Sequence, residues 1–377
     1  MPTQHRPSPD DRVFASRIER ARAQLDRLGC DALCVSVGAD LPYLIGYEAM
    51  PLERLTMLVV DRSGHPTLVI PELEVARVEQ RPEVFEVVGW GETEDPITLV
   101  SKRLGNAGKI AMGDTTWARF VVDLVNHRPS VELMRSAPVM SPLRSVKDAA
   151  EIDALRTAAE AADRVIAQIQ AGDVALVGRT EAEVSADVSA RLIAEGHDVV
   201  NFAIVAAGPN AASPHHHAGS TVISERDCVL FDIGGTLAGY CSDITRCVSI
   251  GEPSSEMADL YSVLHEAQRA AVGIAGSGAD VTCQDVDREA RRIIAEAGYG
   301  QYFIHRTGHG IGMEEHEDPY IVEGNDAPLV AGNAFSVEPG IYVPGRHGAR
   351  LEDIVVAGDR GPDQLNQADH SLVIVGG

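Results

Sequence analysis

The sequence contains no run of about 18 apolar residues, so nothing in it reads as a membrane span. Residues 1–20 are polar and lack the apolar core of a secretory signal. The six cysteines, at positions 30, 34, 228, 241, 247 and 283, include no Cys-x-x-Cys pair. That spacing argues against a zinc-finger or disulfide framework and suits a reducing cytoplasm. Basic charge is scarce: 32 Lys and Arg stand against 56 Asp and Glu, a net charge of −24. Nucleic acid and anionic membranes demand basic patches, so neither is an expected partner. Most of the acidic excess reads as solubility, and part of it is available to hold cations. Thirty-five glycines and 20 prolines add turns without forming a low-complexity tract.

What is present is an ordinary globular composition: 377 residues, 45% hydrophobic and 23% charged, enough for two or three domains. Residues 11–28 predict an amphipathic helix, with Val13, Ile18, Ala21, Leu25 and Leu28 on one side and Gly29 as its stop. Strands are expected at 32–37, 55–60, 67–70, 84–88 and 109–112, the second and third flanking a hairpin turn at Arg62-Ser63-Gly64. A helical stretch follows near 116–126, and Pro138 and Pro142 punctuate a linker. Ser145-x-x-Asp148 reads as a capping box opening a long helix that carries Ile152, Leu155, Ala159, Ala162, Ile166 and Ile169. The fold class is therefore α/β (α+β), with one domain over 1–145 and a second over 146–377.

The second domain repeats itself at a spacing of about 100 residues. Thr180-x-x-Glu183 and Thr282-x-x-Asp285 each cap a helix, Phe202 and Phe303 follow at matching offsets, and hairpin-like segments follow over 229–250 and 335–356. Two pseudo-symmetric halves facing one site are expected.

Each hairpin carries two acids on opposite arms. Asp232 and Asp243 interrupt apolar strands, although aspartate is a poor strand former and costly to bury unpartnered. Thr245, on the face of Asp243, is placed to orient that carboxylate. Glu338 and Glu352 repeat the pattern, and Arg350, Glu352 and Ile354 share a face. Four carboxylates in one pocket cannot all remain ionised without cations; two divalent metals would balance them. An oxygen-rich donor set suits Mn²⁺, with Co²⁺, Zn²⁺ or Fe²⁺ as alternatives. Between the hairpins, Gly308, Gly310 and Gly312 alternate around His309 and Ile311, clearing space for close approach. His309 is a candidate metal ligand, His316 a proton or oxyanion partner, and His305 an ordinary histidine. His215, His216 and His217 sit in a Pro/Gly-rich loop, exposed or in contact with metal.

Asp232 with Asp243, Gly308-His309-Gly310-Ile311-Gly312, His316-Glu317, Val337-Glu338-Pro339-Gly340 and Arg350-x-Glu352-Asp353 together resemble the signature of the pita-bread metallopeptidases. That family includes methionine aminopeptidase, aminopeptidase P and prolidase. The first domain resembles the creatinase-type N-domain of the prolidase and aminopeptidase P branch, and Leu143-Arg144-x-x-Lys147 is typical of it. The resemblance implies a pita-bread catalytic domain in which Asp232, Asp243, His309, Glu338 and Glu352 hold two metal ions, Asp243 and Glu352 bridging both. It implies His215, His316 and Glu338 as catalytic groups, His215 and His316 also touching substrate, and Arg350 as a brace for Glu352. The implied reaction is hydrolysis of Xaa-Pro bonds by an Xaa-Pro dipeptidase. Xaa-Pro aminopeptidase, or a metal-dependent C–N hydrolase of small molecules, is the alternative. With all five ligand positions filled, a metal-free hydrolase or a binding-only pseudoenzyme is disfavoured.

One position departs from the pattern. Dipeptidases of this branch often carry an arginine four residues after the second catalytic histidine, gripping the substrate carboxylate; here Tyr320 stands there, and it and Arg350 are the further residues expected to touch substrate. Arg346, Arg350 or a group from a partner subunit would have to serve. The branch usually forms homodimers, and Tyr43 and Tyr47 are the expected wall that one subunit lends to its partner's site.

Overall fold

In a computed structural model describing residues 9–276, 278 and 280–376, the chain divides into two compact units that meet in sequence at Arg144 and Ser145. The first eight residues of the polar N-terminal stretch lie outside the described residues.

The first unit runs α1 (Asp11–Leu28), β1 (Ala32–Val35), α2 (Asp40–Ile45), β2 (Met57–Asp61), β3 (Thr67–Pro71), β4 (Glu86–Trp90), α3 (Pro96–Leu104), β5 (Lys109–Met112), α4 (Ala118–His127), β6 (Glu132–Arg135) and α5 (Ala137–Arg144). Its six strands form one mixed sheet in the order β4-β3-β2-β1-β5-β6. Helix α1 has the bounds its apolar spacing predicts. Asp10 caps its start, and Gly29 at φ 59° ends it in the left-handed conformation that glycine adopts without strain. β2 and β3 pair antiparallel across Arg62–Gly64, as the turn signal implies.

The linker expected around Pro138 and Pro142 is instead a helix, α5. Pro138 lies in its first turn, where no intrahelical partner for its N–H is required. Pro142 removes only one late bond, and the Leu143 carbonyl is met from outside by Arg20 (3.1 Å) and the Tyr43 hydroxyl (3.0 Å). Tyr43 is buried to 1% exposure under the Arg17 guanidinium, 4.0 Å from its ring, and Tyr47 is buried as well. Both belong to the interior of their own unit.

The second unit runs α6 (Ala149–Gln170), α7 (Glu181–Ala194), β7 (Val199–Ala207), β8 (Cys228–Leu237), β9 (Tyr240–Ile250), α8 (Ser255–Ile274), α9 (Cys283–Glu296), β10 (Gly308–Gly310), β11 (Glu317–Ile321), β12 (Ala334–Val337), β13 (Gly340–Val343), β14 (His347–Arg350), β15 (Asp353–Val356), β16 (Asp363–Gln364) and β17 (Val373–Val375). The capping box of α6 is Asp148 with Glu151, three residues beyond the expected one. Ahead of it, Val146 bridges Asn333 and the Lys147 amide donates to Gly332, which holds this segment out of the helix. Thr180 and Glu183 cap α7 as predicted, a motif contributing about 1 kcal/mol.

The two halves are visible. α7 leads into the antiparallel run β7-β8-β9, and α9 leads into a second sheet ordered β11-β10-β12-β15-β16. Val165, Ile166, Val184 and Val188 pack α6 and α7 against Val229, Phe231, Ile233 and Ile244 of the first sheet. Leu260, Leu264, Val286 and Ala290 pack α8 and α9 against Phe335, Val337 and Val355 of the second. The second half differs from a simple hairpin: β12 pairs with β15, while the residues between them form a separate ribbon, β13 with β14. A bridge between Thr245 and Glu352 joins the halves. All six cysteines are unpaired and buried. Among the described residues, no helix is long and apolar enough to cross a membrane.

Candidate metal centre and active site

The register of β8 on β9 places Asp232 opposite Thr245 and Asp243 opposite Gly234, so strand alternation carries both carboxylates to one face. In the other half, Val337 pairs with Asp353, which leaves Glu338 and Glu352 facing each other just past the strand ends. His309 reaches the same place from β10. A Cβ at Gly308 would collide with the Ser336 carbonyl oxygen, and one at Gly310 with the Asp318 carbonyl. The alternating glycines therefore let neighbouring backbone close on His309, the close approach their spacing suggested.

Among the described residues, Asp243, His309 and Glu352 each offer a ligand atom, all within 4.8 Å of one another. His309 Nε2 lies 3.2 Å from Glu338 Oε1 and 3.7 Å from Asp243 Oδ2. Its Nδ1 meets the Gly310 carbonyl at 3.1 Å, which directs Nε2 inward. Asp232 Oδ1 is buried without a hydrogen-bond partner, the kind of acceptor a cation satisfies. The donor set of four carboxylates and one imidazole thus fits a divalent metal centre.

Electrostatics agree. Burial, followed by the charges of Glu352, Asp232 and Glu338, pushes the Asp243 carboxyl well above the usual range. Burial, Glu338 and Asp232 do the same to Glu352. Asp232 is raised less, burial being opposed by Arg350. Burial also works against the charge on Glu338, but His309, His305 and Arg350 pull it down to about 2. The His316 imidazole is lowered to about 4 by burial, His309 and Arg306.

These groups line an open cleft of about 480 Å³, a volume suited to a small ligand. Its wall brings together His215, Asp232, Asp243, His309, His316, Glu338, Arg350 and Glu352, with Phe202, Ile204 and Pro214 as an apolar side. His316 tilts against His309, ring centroids 3.9 Å apart.

Three expectations change. Thr245 donates its hydroxyl to Glu352 Oε2 (2.6 Å) rather than serving Asp243, because the inter-half bridge brings it beside Glu352. Arg350 was expected to brace Glu352. It bonds instead to Asp232, to the Tyr342 hydroxyl (2.8 Å) and to the Pro214 carbonyl (3.3 Å), and it reaches Glu352 only through Thr245 (3.1 Å). Tyr320, expected to touch substrate, is absent from the described cleft wall. Its ring lies 4.4 Å beneath the Arg306 guanidinium, and Arg306 is the group that lines the cleft. Arg346, the other cation considered, pairs with Glu256 away from this cleft.

Sequence reasoning missed Arg306, although it lies within the histidine-glycine run. It also passed over His305, whose Nε2 meets the Tyr342 hydroxyl at 2.8 Å in the cleft wall.

With this geometry in view, the family follows. A model of metallopeptidase family M24 matches residues 153–359, and one of the creatinase/prolidase N-terminal domain matches residues 17–146. The chain belongs to the M24 metallopeptidases, enzymes that use divalent metal to hydrolyse peptides. The protein named "Probable dipeptidase PepE" in Mycobacterium bovis is 45% identical over 371 residues, 97% of this chain and 98% of that one. The crystal structure of dipeptidase PepE from Mycobacterium ulcerans superposes with a TM-score of 0.92 at 45% identity, covering 98% of this chain and 100% of the other. A prolidase from Thermococcus sibiricus superposes with a TM-score of 0.89 at 36% identity, covering 96% and 99%.

Proposed function

We propose that this chain is an Xaa-Pro dipeptidase in which Asp232, Asp243, His309, Glu338 and Glu352 hold two divalent ions, Mn²⁺ in the native enzyme. The observation that carries the metal reading is the convergence of Asp243, His309 and Glu352 within 4.8 Å in a cleft shared with Asp232 and Glu338. On this reading residues 1–145 are the creatinase-like domain and 146–377 the catalytic domain, and the enzyme acts in the cytoplasm as a homodimer.

Ions held there would supply Lewis acidity and a water made acidic near neutral pH. Glu338, ionised at neutral pH and fixed by the Ser336 hydroxyl (3.0 Å), takes the proton of the attacking water and passes it to the leaving proline nitrogen. His316 is a neutral imidazole at that pH, able to donate an N–H to the developing oxyanion, and His215 lines the same cleft. Asp243 and Glu352 would hold the ions together with Asp232, His309 and Glu338, Glu352 being steadied by Thr245.

A dipeptide carries its carboxylate on the leaving proline, two bonds from the scissile nitrogen. Arg306 supports that substrate: its guanidinium rests on Tyr320, and its Nη2 lies 3.4 Å from His316 Nδ1. Arg350, by contrast, is bonded to Asp232, Tyr342, Thr245 and Pro214. The replacement of the usual arginine by Tyr320 favours a second reading, Xaa-Pro aminopeptidase.

Metal-stripped protein reloaded with Mn²⁺ and given Xaa-Pro and Xaa-Pro-Xaa peptides separates the two. Proline release from dipeptides is expected, weakened by Arg306→Ala mainly through KM. Cleavage mainly of the longer peptides makes it an aminopeptidase. Cleavage of neither, with metal bound, leaves the small-molecule C–N hydrolase.

A further inference from the structure

The three consecutive histidines occupy different surroundings. His215 lines the cleft, His217 is exposed, and His216 bonds to Glu181, the first residue of α7. Glu181 is wholly buried. Its Oε1 accepts from the Ala207 amide and from Asn210 Nδ2, both at 2.9 Å. Its Oε2 accepts from His216 Nε2 at 2.8 Å and from the Gly219 amide at 3.3 Å. These donors flank His215 on both sides in sequence.

Backbone bonds repeat the attachment: the Glu181 amide donates to the Thr221 carbonyl and the Ala182 amide to the Gly219 carbonyl. On another side, β14 presses on the same loop. A Cβ at Gly348 would collide with the Ala211 carbonyl, and Arg350 donates to the Pro214 carbonyl. A buried carboxylate is tolerated only when its acceptors are filled. The start of α7 does not require one here, since Thr180 and Glu183 already form its capping box. Burial opposes the charge of Glu181, but Ala207, Asn210, His216 and Gly219 together hold its carboxyl below the ordinary range.

We propose that Glu181 is the positioning residue for His215: by binding both flanks of the loop over 207–219, partly through His216, it fixes that loop at the cleft. The inference rests on the reading above, in which His215 acts on the substrate.

The test is a double-mutant cycle in Mn²⁺-loaded enzyme with an Xaa-Pro dipeptide. Glu181→Gln turns an N–H group toward two of the donors and is expected to lower kcat/KM about 10- to 100-fold, as a displaced group does, with bound metal unchanged. In a His215→Ala background the same substitution is expected to add no further loss, because its effect passes through His215. His216→Ala is expected to give part of the loss, and His216→Gln, which keeps an N–H donor, to restore it. Should Glu181→Gln not fold, the cycle runs with the half-buried His216→Ala instead. Additive losses in the double variant, with His215→Ala itself impaired, overturn the positioning role alone. A His215→Ala enzyme as active as the parent overturns both this inference and the catalytic role given to His215.

Discussion

The two halves of the catalytic unit supply acids to the same cleft by different means. In the first, Asp232 and Asp243 project from the interior of a long antiparallel hairpin whose register sets their face, with Arg350 bonded to Asp232. In the second, Glu338 and Glu352 lie beyond the ends of four-residue strands, where the ladder no longer dictates direction. There, polar contacts replace register. Ser336 holds Glu338, Thr245 holds Glu352, and the buried Arg246 donates to the carbonyls of Glu352 (2.6 Å) and Thr245 (2.9 Å) while pairing with Asp353 at 2.6 Å. Asp353 in turn accepts from Gln268 and Gln364 and bonds to His370. A ligand placed by sheet register tolerates changes in its polar neighbours; one placed by a buried polar network does not.

The sharpest break in the comparison is to remove one acid from each half. Asp243→Ala and Glu352→Ala are each expected to lower kcat/KM by about 10³-fold, the upper end of the range for losing one preorganised electrostatic group, with loss of bound metal. Metal analysis beside dipeptide hydrolysis checks this; full turnover by either variant would sink the two-half centre.

Next in size is the network behind Glu352. Arg246→Met leaves Asp353 buried with a charge and without its closest cation, which costs about 3–5 kcal/mol. Denaturant unfolding reads that loss. The comparison predicts that metal affinity in this variant falls with stability, because the second-half ligands hang on this network.

Thr245→Val is smaller. It removes the hydroxyl shared by Glu352 and Arg350, and a 10- to 100-fold loss of metal affinity is expected, as for other groups that orient a ligand. Calorimetric titration measures it, and an unchanged affinity would mean that Glu352 is aimed by its backbone alone.

The smallest effect is in pH. In chelator-treated protein, burial and the neighbouring carboxylates raise Asp243 and Glu352 above their unfolded values, so the folded state binds extra protons. That contribution is present at low pH and fades as pH rises above the ordinary carboxylate range toward the raised values. A cation replaces those protons, so the rise in Tm produced by Mn²⁺ is expected to grow between pH 5 and pH 8. A Tm increment that shrinks over that interval would contradict the charge balance assigned to the centre.

Much of this was legible in the sequence, and the reason differs by residue. Asp232 and Asp243 stand out because an acid inside an apolar strand needs a partner, and the alternating glycines around His309 announce a tight backbone approach. Helix α1 carries both its period and its stop. The rest is tertiary. No local rule moves the capping box from Ser145 to Asp148, because the reason lies at Gly332 and Asn333. The resemblance implied that Arg350 braces Glu352, yet the ribbon of β13 and β14 carries it to Asp232. Glu181 looks like any acidic first-turn residue until the chain returns at Ala207 and Gly219. Arg306 acquires meaning only with Tyr320 beneath it.

The most direct test of the central claim is titration of metal-free protein with Mn²⁺, following heat and Xaa-Pro hydrolysis in the same samples. The account predicts two equivalents bound per chain and activity that rises with their occupancy. Full activity in rigorously chelated protein, or saturation with metal that restores none, would contradict it.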